Sequence, residues 1–254
     1  MKTELVVAII AGVVALGSAG GTIWSSVTNT RHSDANTKAI EELKIANDRT
    51  KAAAQREKEI SIFREPLARS AYDLQSRLYN ILEQNLIQVF LVGGNDRERS
   101  YVTNNTAFLI GQYLCWTELV RRKLQFIDLG ESSKTKELLD LQDNIYGLWG
   151  TDAQPPLLRI FAGEQRAIGE ALISTNGETS ECMGYGAFLT TFTKGKNPLI
   201  DAIKADILSL ETASGQANER LTNLQHALID LLAMLDPNFL RFPEKKRSKV
   251  QSRT

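Results

Sequence analysis

The chain opens on a long apolar stretch. From Leu5 to Trp24 no charged residue occurs in 20 positions, and a helix rising 1.5 Å per residue over that length crosses the roughly 30 Å hydrocarbon core of a bilayer. Trp24 falls where such a span meets the lipid headgroups, a setting that suits an amphipathic indole. The pattern predicts a single-pass transmembrane anchor over residues 1–28. A cleaved secretory signal is the rival reading, because Ala15-Leu16-Gly17 and Gly17-Ser18-Ala19 have the small residues of a cleavage site. Against it, Glu4 offsets Lys2 in the leader and the run ends in Ile23-Trp24 without a polar cleavage region. Gly12 lies four residues after Ala8 and Gly21 four after Gly17, so small residues share helical faces on which two spans could pack closely.

Behind the apolar head the pattern changes to charge. Asp34 to Glu59 carries six charges of each sign and no Gly or Pro, with Asp34 placed four residues before Lys38 and Glu41 three before Lys44. This predicts an exposed helical stalk over residues 29–63. A coiled-coil register through Ile40, Leu43, Asn47, Thr50, Ala54 and Glu57 is apolar at only half its positions, so the stalk needs the membrane or the body to hold partners together.

The body, residues 64–240, shows the three-and-four spacing of amphipathic helices. Pro66 fits a first helical turn, and Leu67, Ala71, Leu74, Leu78, Ile81, Leu82, Leu86, Val89 and Phe90 form one stripe that Gly93-Gly94-Asn95-Asp96 ends. A core helix is expected from Arg97 to Asp128, and an amphipathic one from Lys134 to Trp149. Pro155-Pro156 marks a turn, Leu157 to Ser174 reads as helix and Ser174 to Cys182 as a loop. Asn197-Pro198 starts a helix with Leu199, Ile200, Ile203, Ile207 and Leu210 on one face. A final helix carries Leu221, Leu224, Leu228, Leu231, Leu232 and Leu235 up to the Asp236-Pro237 stop. No segment alternates with a period of two, so the body is expected to be an all-α bundle.

Composition changes this picture in one respect. The 254 residues hold 30 Lys+Arg and 30 Asp+Glu, and 43% are hydrophobic, which excludes a disordered chain and a globally basic nucleic-acid binder. The neutral total hides a basic tail, residues 241–254, where Arg241, Lys245, Lys246, Arg247, Lys249 and Arg253 face only Glu244. The tail could contact anionic lipid, at roughly 1 kcal/mol per charge near the surface, or RNA phosphates, with Phe239 and Phe242 available for stacking. Lys2 alone precedes the span whereas Arg31, Lys38 and Lys44 follow it closely, which places the body on the cytoplasmic side of the cell membrane. Cys115 and Cys182 do not form a disulfide framework.

Candidate chemistry is sparse. Val92-Gly93-Gly94-Asn95 lacks the lysine of a phosphate-cradling loop, and Gly184-Tyr185-Gly186 lacks the strand and third glycine of a dinucleotide fingerprint. No cofactor and no metal are expected. Glu164 would sit on the apolar face of a helix begun at Leu157; if Gly163 breaks that helix, it lies instead in a first turn, where the dipole favours an anion. Arg220 and His226, separated by five residues on a helix, resemble the Arg-x(4 to 6)-His motif of the HEPN superfamily, although Leu221 stands where a polar residue is usual. That resemblance implies an RNA-cleaving dimer with His226 as acid/base and Arg220 on a phosphate. The expectation is therefore a membrane-anchored, self-associating, non-enzymatic scaffold, sensor or partner-binding module. A membrane-tethered RNA-cleaving effector and a secreted or periplasmic binding module are the alternatives.

Overall fold

The computed structural model describes residues 40–52, 54–55, 62–124, 132–177, 179–193 and 195–251. The expected span, with Gly12, Gly17, Gly21 and Trp24, lies outside the described residues. Among those described, no helix is long and apolar enough to cross a membrane. The chain divides after Gln55 into two units. In the first, residues 40–52 are helical and exposed, with Ile40 and Leu43 open to solvent.

The second unit is mostly helical. Helix α1, residues 62–82, buries Leu67, Ala71, Leu74 and Leu78, the stripe that the spacing predicts. Beyond Leu82 the expected stripe is corrected. Residues 83–85 form a turn with Asn85 at φ 50°, and Ile87–Val92 is a π-helical segment, closed where the Gly93 N–H donates to the Gln88 carbonyl at 3.1 Å. The turn and the wider coil rotate the chain, so Leu86, Ile87 and Leu91 are buried while Val89 and Phe90 face outward. Helix α2, Asp96–Leu124, starts with a reciprocal cap. Asn95 Oδ1 accepts from the Glu98 N–H at 3.1 Å, and Glu98 Oε2 accepts from the Asn95 N–H at 2.8 Å. It is the central helix, burying Val102, Phe108, Ile110, Tyr113, Cys115 and Leu119.

Helix α3, Ser132–Gly150, ends on the fully buried Trp149. The helix expected from Leu157 begins only at Ala162, as α4, Ala162–Ala171. Two causes delay it: Pro155-Pro156 cannot donate, and Leu158 is held at φ 59°, where its N–H donates to Asp206 Oδ2 at 3.0 Å. The expected loop after α4 is an antiparallel hairpin, β1 Ile173–Asn176 and β2 Thr179–Cys182, paired from Ile173 with Cys182 to Asn176 with Thr179. Gly177 at φ 62° supplies the left-handed turn residue. After the short α5, Tyr185–Thr191, the two helices expected near the C-terminus are one, α6, Pro198–Leu235. It is capped by Asn197, whose Oδ1 accepts from the Leu199 and Ile200 N–H groups, and is kinked at Ala213.

Helices α2 and α4 meet at glycines. A Cβ on Gly169 would lie 2.6 Å from the Leu114 carbonyl oxygen, so the absent side chain permits the crossing. Residues 236–251 then fold back onto α1 and α6. The basic tail read after residue 240 as a surface for lipid or RNA is in part internal: Phe242, Arg247 and Val250 are buried, so Phe242 is not free to stack on a base.

A candidate binding cavity beneath the C-terminal segment

A cavity of about 620 Å³ opens between α1, α2 and the returning C-terminal segment. Helix α1 contributes Tyr72, Asp73 and Arg77, α2 contributes Asn105, and the 3₁₀ turn Glu244–Lys246 contributes Lys245 and Lys246. The turn is carried into place by a lock built on Asp236, the residue that ends α6. Its carboxylate accepts the N–H groups of Leu240, Arg241 and Phe242 at 3.0, 3.2 and 3.1 Å and forms a buried ion pair with Arg247. Burial pushes the Asp236 carboxyl up, but the Phe242, Arg241 and Leu240 amides and the Arg247 charge outweigh that and hold it below the usual carboxylate range. Arg247 also donates to the Asp236 and Phe242 carbonyls at 2.9 and 2.7 Å.

Further stitches fix the rest of the segment. Gln225 Nε2 donates to the Ser248 carbonyl at 2.9 Å, Gln225 Oε1 accepts from the Val250 N–H at 3.1 Å, and Gln75 Nε2 donates to the Lys246 carbonyl at 3.2 Å. The Phe242 ring stacks on Tyr72 with centroids 4.6 Å apart. Lys245 and Lys246 remain exposed, with no ion pair among the described residues.

Arg77 is the unusual member of the site. It is 8% exposed, yet its Nη2 donates only to Asn105 Oδ1 and, at 3.5 Å, to the Tyr101 hydroxyl, both neutral. Its Nε and Nη1 make no hydrogen bond among the described residues and are not sealed off, in contrast with the buried, unpartnered Nε of Arg220 and Arg247. Asp73, the acid lining the same cavity, is pushed above the usual carboxylate range by burial, against the pull of Arg69. The local balance is cationic.

The residues singled out from sequence are dispersed. Glu164 is the cap of α4, its Oε2 accepting from the Phe161 N–H at 2.8 Å, so the buried-carboxylate alternative is corrected. Arg220 is 1% exposed and donates to the carbonyls of Leu148, Trp149, Thr151 and Pro155 at 2.7 to 3.1 Å. Every one of its Nη bonds holds the end of α3 and the loop after it, which leaves nothing for a phosphate. His226 is half-buried against the C-terminal segment, with Nε2 2.8 Å from the Val250 carbonyl. Of the tail cations, Arg247 is internal, Lys249 pairs with Asp230 at 2.7 Å, and Lys245 and Lys246 line the cavity.

The sequence carries one signal for Arg77. It lies three residues after Leu74 and four before Ile81, on the margin of the apolar stripe, where a charge must find a partner or an opening. Two other polar groups are structural. Glu118, buried on α2, is satisfied by Arg121 at 2.7 and 2.8 Å and by Arg122 at 2.7 Å, and those guanidinium groups outweigh its burial and hold its pKa low. The thiols of Cys115 and Cys182 are free, and the neighbouring Cys182 thiol together with burial pushes the Cys115 thiol up. Among the described residues no group of three or more His, Cys, Asp or Glu could hold a metal ion. Compared with known protein families, curated proteins and solved structures, the chain matches none.

Proposed function

We propose that this chain is a single-pass, membrane-anchored helical binding module that performs no catalysis, self-associates through its span and stalk, and presents the Arg77 cavity on a cytoplasmic body. The observation that carries the binding role is the buried guanidinium of Arg77, which has no carboxylate partner and opens into a 620 Å³ cavity. Pockets that take small ligands have this size range, about 300–1,000 Å³, and place a few polar groups on a preformed wall. The charge-free Leu5 to Trp24 segment supports the anchor, and the excess of cations after it supports the orientation.

Fractionation tests the anchor. Full-length protein should stay with membranes through alkaline carbonate extraction, and a chain lacking residues 2–28 should be released. An Asn176→Cys variant with Cys182 replaced tests the side, because an impermeant thiol reagent should label it only after permeabilisation. Labelling in intact cells would reverse the orientation and favour the secreted or periplasmic reading.

A further inference from the structure

We infer that the Arg77 cavity is a site for a phosphomonoester, gripped by Arg77 from the floor and by Lys245 and Lys246 from the rim. The inference rests on reading this cavity as the recognition site, and does not depend on the anchor.

Three arginines are buried among the described residues, and their surroundings differ. Arg247 has the Asp236 carboxylate, and Arg220 has four carbonyl oxygens. Arg77 has two neutral acceptors on one nitrogen, lies over the Tyr101 ring at 5.5 Å, and has no hydrogen bond on its other two nitrogens among the described residues. Its Nε and Nη1 open into the cavity without a counter-ion, and the oxygens of an anion there would accept a single charge-assisted bond from either. The neighbourhood adds to that demand. Lys245 and Lys246 make no ion pair, and Asp73 is the acidic side chain of the lining. Three cations against one carboxyl leave an excess of about two charges, which a phosphomonoester matches at −1.5 to −2 near neutral pH and a monocarboxylate or phosphodiester only half matches. The tyrosines, Asn105 and Ser76 on the walls offer hydrogen bonds to a polar body behind the phosphate. A phosphate alone would leave most of the cavity unfilled.

The same chemistry occurs on soluble metabolites and on lipid headgroups, and the test separates them. Full-length protein in neutral detergent is titrated with inorganic phosphate, with glycerol 3-phosphate and with a short-chain phosphatidic acid, binding being followed by calorimetry. Saturable binding is expected from glycerol 3-phosphate or from phosphatidic acid. A response to the first assigns a soluble ligand, and a response confined to the second assigns a lipid. Lys245→Ala/Lys246→Ala, which changes only exposed side chains, should weaken that binding by about tenfold or more, and Arg77→Met should abolish it. Should Arg77→Met fail to fold, the lysine pair alone decides. The inference is overturned if no phosphate probe binds, or if the lysine variant binds as well as the parent. It is also overturned if an RNA oligonucleotide lacking terminal phosphates binds and loses affinity in the same variant, because phosphodiesters would then be the ligand. Loss of phosphate binding leaves the carbonate extraction unchanged, and release from the membrane leaves the titration unchanged, so failure of either reading is recognisable.

Discussion

Replacing Arg220 by methionine should be among the most damaging single changes in the body, and its size can be worked from the geometry. The guanidinium is 1% exposed and holds four carbonyls, two in the last turn of α3 and two in the loop that follows. Bonds from a charged donor contribute about 1.5–3 kcal/mol each, so the gross loss is roughly 6–12 kcal/mol. Methionine also removes the penalty of burying the charge, which is several kcal/mol, and burial already draws the Arg220 pKa below its ordinary value. The net destabilisation is about 3–5 kcal/mol, or roughly 6–20 °C in Tm for a body of this size. Urea unfolding followed by tryptophan fluorescence, to which Trp149, its carbonyl one of the acceptors, contributes, reads the change. Arg220→Lys keeps the charge but gathers its donors on one nitrogen, which cannot span all four oxygens, and should fall between the two. A methionine variant within about 1 kcal/mol of the parent would refute the account and return Arg220 to the list of groups free to hold a ligand.

Three other expectations are simpler to state. The Asp236 carboxyl has a lowered pKa in the folded chain, so the stability it confers is complete above the usual carboxylate range and is lost as pH falls through the folded value. Asp236→Asn should flatten the acid limb of a Tm against pH profile while lowering Tm at neutral pH, and an unchanged limb would assign the acid sensitivity elsewhere. Gly169→Ala should cost about 1–3 kcal/mol in chemical denaturation, because the new methyl meets the Leu114 carbonyl oxygen at 2.6 Å and backbone cannot yield. Gly111→Ala meets only the tip of Leu172 at 2.8 Å and gains up to about 1 kcal/mol in helix propensity, so it should come out near neutral. In native protein Cys182 should alkylate before the buried Cys115, as read by mass spectrometry of the labelled peptides; equal rates would contradict the packing of β2 on α2.

The parts of the fold legible in the sequence are those whose burial repeats locally. Leu67, Ala71, Leu74 and Leu78 declare α1 because each turn of the helix meets the same core, and the leucines from 221 to 235 do the same for the end of α6. The failures share a different cause. Residues 157–161 carry a helical pattern, but Asp206, far along the chain, captures the Leu158 amide in a left-handed conformation. The hairpin is too short to show a period of two, and Asn176-Gly177 was its only local mark. Arg247 reads as one charge in a solvated run until Asp236 folds back upon it. Each depends on a partner that no window of sequence contains.

The same dependence ties the candidate site to the stability of the C-terminal segment. Lys245 and Lys246 are solvent-exposed and make no ion pair among the described residues, so their place in the cavity lining comes from the backbone that carries them. That backbone is held by the Asp236–Arg247 pair on one side and by Gln75 and Gln225 on the other. Weakening the pair should therefore act twice, on unfolding and on the cavity, since a segment that frays takes two of the three cations with it. Arg77, by contrast, lies within α1 and does not depend on the segment for its place. A ligand that bridges floor and rim would accordingly stabilise the folded segment by mass action. The charges of the basic tail matter for where the fold sets them rather than for their sum, Lys245 and Lys246 at the cavity and Arg247 buried on Asp236.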